Sequence, residues 1–336
     1  MELPYLFRKT GVFVLIMLCC ALSYGQVQVV EQTFTVAADG SGDFKTIQEA
    51  VNAVRDHSEL KAVIKIKKGT YKEKLVIPAW KKNITLSGES KEETIITNGD
   101  FSGKEFPGKD FTQNSKFSTY TSYTVLVQAN DCSLQNLTIE NTAGRVGQAV
   151  ALATEADRID VRDCNILGNQ DTLYTSKDGR NYFKNCFISG TTDFIFGEAT
   201  VVFQDCVIKS LSDSYITAAS TTRDQAFGYV FFNCRLIASA EATKVYLGRP
   251  WRPYAKTVFI DTEMDKHILK QGWDPWKGDK MFPEKEKTTF YAEYNSKGAG
   301  ANANDRIGWA KQLTKAERQK YTLENIFQGW MPEKSR

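Results

Sequence analysis

The chain has 336 residues and a nearly balanced charge, with 43 Lys and Arg against 40 Asp and Glu, a formal net charge of +3. So small an excess argues against nucleic acid as a partner, because proteins that bind it carry dense basic surfaces. It is compatible with an acidic polymer as a substrate. No linker-like stretch interrupts the sequence, which predicts one domain after the N-terminal segment.

The first 25 residues have the features of a secretory signal peptide. Arg8 and Lys9 precede an apolar run over 12–22, which is short for a membrane span, and small residues follow it. A lipoprotein interpretation is weaker, because bulky residues precede each cysteine of the run. The sequence therefore predicts a signal over 1–25, a catalytic domain over 26–336 and secretion to the periplasm or the cell exterior.

A capping-box pattern at Thr46 and Glu49 predicts the start of a helix. The apolar face of this helix is formed by Ile47, Ala50, Val51 and Val54. We expect the helix to cover the N-terminal end of a sheet, because exposed strand edges invite aggregation. Strand-like runs follow at 62–66, 74–77, 84–86 and 94–96, and residues 97–118 have the composition of a long loop.

Five similar phrases, each with a polar corner, a cysteine and an apolar strand, then recur. They lie around Cys132, Cys164, Cys186, Cys206 and Cys234, at intervals of 32, 22, 20 and 28 residues. Such a repeat predicts the rungs of a parallel β-helix, in which each rung buries its apolar face against its neighbours. The alternative is a run of hairpins in a sandwich, but the Asn-Gly and Asp-Gly turns of hairpins are scarce here. After Trp251 the periodicity fades, and 314–328 predicts a C-terminal helical tail.

The cysteines and histidines favour structural roles. We expect most of the five cysteines after residue 25 to be small buried residues at one corner of successive rungs, although the spacing leaves one or two disulfides open. The sequence has no Cys-x-x-Cys, no His-x-x-x-His and no acidic calcium loop, so we predict no metal or cofactor. His57 and His267, the two histidines, are predicted at the surface, and no Gly-x-Ser-x-Gly motif supports a Ser-His-Asp hydrolase.

The same 22-residue interval brings candidate catalytic groups together. Asp171 and Asp193 each follow a cysteine by seven residues, and Gln148 and Gln170 are also 22 residues apart. On neighbouring rungs, ~4.8 Å apart, two carboxylates and two amides would form one patch. Carboxylates can act as nucleophile and general acid, and amides can stabilise an oxyanion. Asp213, seven residues after Cys206, continues the pattern, but we interpret it as a corner residue without a direct role.

Each element also has a structural interpretation. An Asp after Gly is often a turn residue, stacked glutamines can form a structural ladder, and Gly248-Arg249-Pro250-Trp251 could be a β-turn. The combination favours a site, because Tyr174, Phe196 and other aromatic residues flank the acids. Arg249 also supplies a cation that can keep one carboxylate ionised.

Four segments resemble the pectin methylesterase family, in the order found in that family. They are 148–152 (QAVAL), 168–174 (GNQDTLY), 193–197 (DFIFG) and 246–251 (YLGRPW). The resemblance extends over nearly all of the chain after residue 25. It implies a right-handed parallel β-helix that hydrolyses the C6 methyl esters of homogalacturonan to pectate and methanol, acting as a monomer without a cofactor.

The resemblance also implies roles for individual residues. Asp193 would be the nucleophile, Asp171 the general acid and then base, and Gln148 and Gln170 the oxyanion donors. Arg249 would hold Asp193 ionised. The substrate-binding positions would be Thr119, Tyr174, Phe196 and Trp251.

Two other functions compete with this esterase. One is a β-helical polygalacturonase or lyase, since fold alone does not determine chemistry. A retaining pair of carboxyl groups at ~5–5.5 Å would fit neighbouring rungs, so the spacing alone does not exclude it. The other is a non-catalytic β-helix that binds carbohydrate, which would leave the gathering of Asp, Gln and Arg unexplained.

Overall fold

The computed structural model describes residues 31–110, 112–176 and 178–332. The predicted signal over 1–25 lies outside these residues and stays a prediction. Within them, 26 strands form three sheets of eleven, eight and seven strands, and neighbouring strands of each sheet run parallel. From the second to the twenty-fourth strand the chain visits the three sheets in turn. It therefore winds as a right-handed parallel β-helix, which confirms the predicted fold class.

The strands are numbered along the chain. Sheet A contains β1 Gln32–Val36, β2 Ala62–Ile66, β5 Ile84–Gly88, β8 Ser133–Gln135, β11 Ile159–Arg162, β14 Arg180–Lys184, β17 Thr200–Gln204, β20 Tyr229–Phe232, β23 Lys256–Ile260, β25 Phe290–Tyr294 and β26 Lys311–Gln312. Sheet B contains β3 Gly69–Lys72, β6 Thr94–Asn98, β9 Thr138–Asn141, β12 Asn165–Leu167, β15 Phe187–Gly190, β18 Val207–Ser210, β21 Arg235–Ala238 and β24 Glu263–Met264. Sheet C contains β4 Leu75–Ile77, β7 Val125–Val127, β10 Leu152–Thr154, β13 Leu173–Thr175, β16 Ile195–Gly197, β19 Tyr215–Ala219 and β22 Tyr246–Gly248.

Four of the five cysteine phrases mark the corner between sheets A and B. Cys164, Cys186, Cys206 and Cys234 each stand just before a strand of sheet B, and these strands pair in register. Cys132 is the exception, because it precedes β8 of sheet A and so lies at another corner. All five thiols are buried and free, so within the described residues the spacing produces no disulfide.

The interior of the coil is filled by stacked side chains from successive rungs. Phe183, Phe203, Phe231 and Phe259 form a ladder along sheet A, with ring centroids 5.1, 4.5 and 4.3 Å apart. All four rings are fully buried. Because each ring contacts the one above and the one below, the ladder holds the rungs in register.

Shortening one ring of this ladder should destabilise the protein. We expect Phe231→Leu to lower the free energy of unfolding by about 1–2 kcal/mol, since it leaves a gap between two rings that cannot close it. Met281→Leu is the matched control, because Met281 is 74% exposed and its substitution should change stability by less than about 0.5 kcal/mol. Denaturant unfolding of both variants measures the difference, and equal midpoints would contradict the prediction.

The two ends of the coil differ in how well the sequence predicts them. Helix α1, Ile47–Ala53, begins with the predicted capping box at Thr46 and packs against β1, β2 and β4 at the N-terminal end. The sequence period fades after Trp251, yet β23 to β26 continue the coil. The C-terminal tail forms two short helices, α2 Lys315–Arg318 and α3 Leu323–Ile326. Its apolar residues pack on the outer face of sheet A.

One histidine is misplaced by the sequence analysis. His57 is exposed as predicted, whereas His267 is buried, with 3% of its surface exposed. Asp265 and Lys266 precede it in the chain, but its carbonyl accepts from the amide of Val245, and Ile268 forms a parallel bridge with Val245, so this segment pairs with the buried wall of the coil. Among the described residues no helix combines the length and the apolar character needed to cross a membrane.

Candidate active site

Strand register places the two aspartates side by side. Leu173 pairs with Ile195 across β13 and β16, so Asp171 and Asp193, two residues before each, occupy equivalent positions on neighbouring rungs. Both have left-handed backbone conformations, with φ of 64° and 49°. Aspartate tolerates this conformation better than most residues, and backbone strain of this kind is frequent where side chains must be aimed at a ligand.

The two glutamines lie on neighbouring rungs, in the column one residue before the column of the aspartates. Gln148 and Gln170 form an isolated parallel bridge, and the amide of Ala149 donates to the carbonyl of Gln170. Both side chains are half-buried and line the same pocket as the two carboxylates. The 22-residue interval therefore brings the two amides and the two carboxylates into one pocket, as the sequence predicts.

Arg249 holds one of the two carboxylates. Its Nε donates to Oδ1 of Asp193 at 3.0 Å and its Nη2 to Oδ2 at 2.6 Å, a bidentate pair. The guanidinium lies 4.0 Å from the ring centre of Tyr215 and 3.6 Å from that of Trp276. These two rings fix its plane and shield the ion pair from water.

The glycine before Arg249 allows this approach. A Cβ on Gly248 would stand 2.0 Å from Oγ1 of Thr217 on the neighbouring strand β19. Any side chain there would push β22 outward and withdraw the guanidinium from Asp193. The Gly-Arg sequence is therefore a steric requirement of the ion pair.

Burial gives the two carboxyl groups different proton affinities. The pKa of Asp171 is raised to about 8, first by burial and then by the charge of Asp193. Burial also raises the pKa of Asp193, but its hydrogen bonds and ion pair with Arg249 act in the opposite direction. Because the cation is bonded to Asp193, the single proton of the pair resides on Asp171 at neutral pH.

Aromatic side chains extend from this centre along the outer face of sheet C. Tyr120, Tyr174, Phe196 and Trp251 form a row with ring centroids 5.3, 4.9 and 5.9 Å apart. The pocket between the row and the carboxylates has a volume of about 240 Å³. Phe196, Trp251 and Thr119 line it, whereas Tyr174 supports Phe196 from the side.

The third aspartate of the sequence pattern lies elsewhere. The rung neighbour of Asp193 is Tyr215, whose carbonyl accepts from the amide of Asp193. Asp213 is exposed and accepts instead from the amides of Thr243 and Lys244. Its interpretation as a corner residue is therefore confirmed, but its place in the aspartate column is wrong.

Three side chains of the site carry no signal in the sequence. Trp276 covers Arg249, Tyr120 begins the aromatic row, and Lys285 lies 4.4 Å from the centre of the Trp276 ring. The ammonium of Lys285 is fully buried and pairs with Asp279 at 2.6 Å. The residues around Trp276 belong to an irregular loop without a period, so no pattern indicates that they return to the active centre.

The pectinesterase family model matches residues 33–330. The chain belongs to the pectinesterase family. Among curated relatives, a probable pectinesterase/pectinesterase inhibitor of Brassica napus is 38% identical over 88% of this chain and 51% of its own length. Pectinesterase 4 of Arabidopsis thaliana is 36% identical over 84% of this chain and 48% of its own length. The chain thus spans about half the length of these pectinesterases.

Solved pectin methylesterases share the whole fold. Carrot pectin methylesterase aligns with a TM-score of 0.81 and 36% identity, covering 89% of this chain and 94% of its own. The Erwinia chrysanthemi enzyme gives 0.78 and 32%, over 90% and 98% of the two chains. A pectin methylesterase in complex with a hexasaccharide gives 0.77 and 32%, over 91% and 100%. The described chain is therefore comparable in extent to these structures.

Proposed function

We propose that this chain is a pectin methylesterase, which hydrolyses the C6 methyl esters of homogalacturonan to pectate and methanol. The observation that carries the proposal is the pairing of an arginine-bound Asp193 with a neutral Asp171 in one pocket. Such a pair supplies a nucleophile and a proton donor within ~5 Å of each other. Membership of the pectinesterase family, and the solved relative with a bound hexasaccharide, support the substrate class.

In the first half-reaction, a carboxylate oxygen of Asp193 attacks the ester carbonyl carbon. The carbonyl oxygen gains the negative charge, and the amide groups of Gln148 and Gln170 donate hydrogen bonds to it. When the tetrahedral intermediate collapses, the bond to the methoxy oxygen breaks. Asp171 gives its proton to that oxygen, so methanol leaves as a neutral molecule and an acyl anhydride remains on Asp193.

In the second half-reaction, water cleaves the anhydride. Asp171 is now a carboxylate and takes a proton from the water, whose oxygen attacks the same acyl carbon. The bond to Asp193 breaks and restores its carboxylate beside Arg249, while the sugar keeps a carboxyl group. Asp171 is protonated again, so the cycle closes without a metal or cofactor; that independence stays a prediction.

The two roles predict a bell-shaped pH dependence. As pH rises through about 8, Asp171 loses the proton that it must donate, so kcat/KM should fall by about tenfold per pH unit on the alkaline side. As pH falls through the pKa of Asp193, the nucleophile is neutralised and activity is lost again. Initial rates of methanol release from pH 4 to 10 measure both limbs. A profile that stays flat to pH 10 would contradict the assignment of Asp171.

The activity itself is tested by methanol release from highly methylated homogalacturonan, with chain length measured in parallel. The proposal expects methanol without shortening of the polymer. Shortening without methanol would instead indicate a polygalacturonase or lyase, and binding without either product would indicate a carbohydrate-binding module.

We also propose that the protein acts as an exported monomer. The features of residues 1–25 support export. The groups that the mechanism uses, among them Asp171, Asp193 and Arg249, line one pocket of a single chain, which supports a monomer. Sedimentation of the purified protein should give a mass near that of a single chain.

A further inference from the structure

A second groove lies beside the catalytic pocket, at the N-terminal end of sheet C. It has a volume of about 650 Å³ and a largely apolar wall formed by Val76, Phe106, Phe117, Tyr123 and Leu126. Phe106 and Phe117 come from the long loop over 97–118, and their ring centroids are 4.7 Å apart. The loop predicted over 97–118 therefore forms one wall of the groove.

The groove adjoins the catalytic pocket. Tyr120 lines both concavities. Beneath it, strand register places Val76, Leu126, Ala153 and Tyr174 in one column on the outer face of sheet C. Leu126 lies two rungs from Tyr174 and Val76 three, which is roughly 10–14 Å at ~4.8 Å per rung. A polymer lying along this face would reach the groove a few sugar units away from the reacting ester.

The groove carries a net negative charge. Two lysines line it, Lys74 and Lys104, and both are bonded to the same carboxylate, Asp100. Glu105, Asp110 and Glu155 also line the groove. Lys116 pairs with Glu105 at 3.7 Å, so four carboxylates stand against three ammonium groups and the net charge stays negative.

The positive charge of the groove weakens further as pH rises. Burial lowers the pKa of Lys74 to about 8, so one of these cations is lost near that pH. A galacturonate unit with a free carboxylate would therefore meet repulsion here, whereas a methyl ester is neutral and offers an apolar group to the aromatic wall.

We propose that this groove binds methyl-esterified galacturonate units of the same polymer chain and discriminates against demethylated ones. The inference rests on the proposed function, because it assumes that the polymer lies across the catalytic pocket. Its consequence is that the enzyme selects esters whose neighbours on this side are still methylated. Attack next to a finished pectate block on that side is then disfavoured.

Binding to a variant without turnover tests the groove. The inactive variant Asp193→Asn serves as the background. Calorimetry measures the affinity of this variant for a fully methyl-esterified galacturonate hexasaccharide and for the demethylated hexasaccharide. We expect the ester to bind more tightly. Adding Phe106→Ser should weaken ester binding by about fourfold for each methyl group that loses its contact, and should leave the demethylated ligand nearly unchanged.

Reversing the charge of Glu105 is an independent test of the groove. Glu105 has a side chain that is 76% exposed, so Glu105→Lys should fold normally and tighten binding of the demethylated hexasaccharide by severalfold. The matched control is Glu92→Lys, whose side chain is 69% exposed and does not line the groove. It should leave both affinities unchanged.

The outcomes separate this inference from the proposed function. If the wild type releases methanol but neither substitution alters the preference between the two hexasaccharides, the groove inference is overturned and the esterase remains. If the wild type releases no methanol and the preference still shifts as described, the esterase proposal fails and the groove inference stands.

Discussion

Asp193→Asn should abolish methanol release, with kcat reduced by on the order of 10⁴-fold or more. A carboxamide has almost the same shape as the carboxylate and can still accept a hydrogen bond from Arg249, but its oxygen does not form the acyl anhydride. Removing an enzyme's covalent nucleophile has effects of this size, because the remaining groups cannot start the reaction. The measurement is a methanol assay under saturating substrate, extended to single turnover.

The matched control for this variant is Asp213→Asn. Asp213 occupies the same position relative to its cysteine, yet it is exposed and bonded to the amides of Thr243 and Lys244. Its substitution should leave kcat within about twofold of the wild type. Melting curves of both variants check that the loss in Asp193→Asn is not due to unfolding. Activity above one hundredth of the wild type in folded Asp193→Asn would overturn its assignment as nucleophile.

The contrast between these aspartates shows where the sequence period stops predicting which residues are neighbours on adjacent rungs. Counting seven residues from a cysteine works for Asp171 and Asp193, because the turns between sheets B and C have equal length on those rungs. On the next rung the chain needs seven steps from Ser210 to Thr217, where the previous rung needs five from Gly190 to Ile195. The two added residues move Asp213 out of the column and bring Tyr215 into it.

The predicted corner position of Cys132 is wrong for a related reason. A polar corner followed by a small buried residue and an apolar strand describes every corner of a β-helix, not only the one between sheets A and B. In the column of Cys164 the preceding rung has Leu137, because Asn165 pairs with Thr138. Residue type alone therefore does not distinguish the corners, and the 32-residue interval does not measure a rung.

The parts of the site that sequence analysis missed come from irregular loops. Trp276 covers Arg249, and Lys285 lies 4.4 Å from the centre of the Trp276 ring. Both belong to a loop that also contains the ion pair between Lys285 and Asp279. In the sequence, a lysine and an aspartate six residues apart in a non-periodic segment look like many exposed ion pairs. Only the structure shows that the lysine side chain of this pair is fully inaccessible and lies against the Trp276 ring.

Asp171→Asn should lower activity and raise stability together. The loss of the proton donor should reduce kcat by about 10²–10⁴-fold, the usual range for a general acid and base. The gain in stability has a different origin, since the wild-type carboxyl group is buried beside another carboxylate. Its pKa is about 8 in the folded protein and near 3.9 in an unfolded chain.

The sign of the stability effect depends on pH. Between about pH 4 and 8 the unfolded chain has lost this proton and the folded protein keeps it, so the wild type becomes less stable as pH rises. The penalty reaches its limit above about pH 8, on the order of several kcal/mol. Asn cannot ionise and carries no such penalty. The advantage of Asp171→Asn should therefore be small at pH 4.5 and large at pH 8.5.

Melting temperatures at the two pH values measure this difference, and Asp213→Asn again supplies the comparison. Backbone amides lower the pKa of Asp213, so its carboxylate contributes stability that is present above pH 4 and lost in acid. Asp213→Asn should therefore destabilise the protein at pH 8.5, the opposite sign to Asp171→Asn. If Asp171→Asn gives the same stability change at both pH values, Asp171 is not held neutral in the folded enzyme, and the proton that releases methanol must come from another group. An active centre with this penalty gives up stability in order to keep a neutral acid, as the proposed mechanism requires.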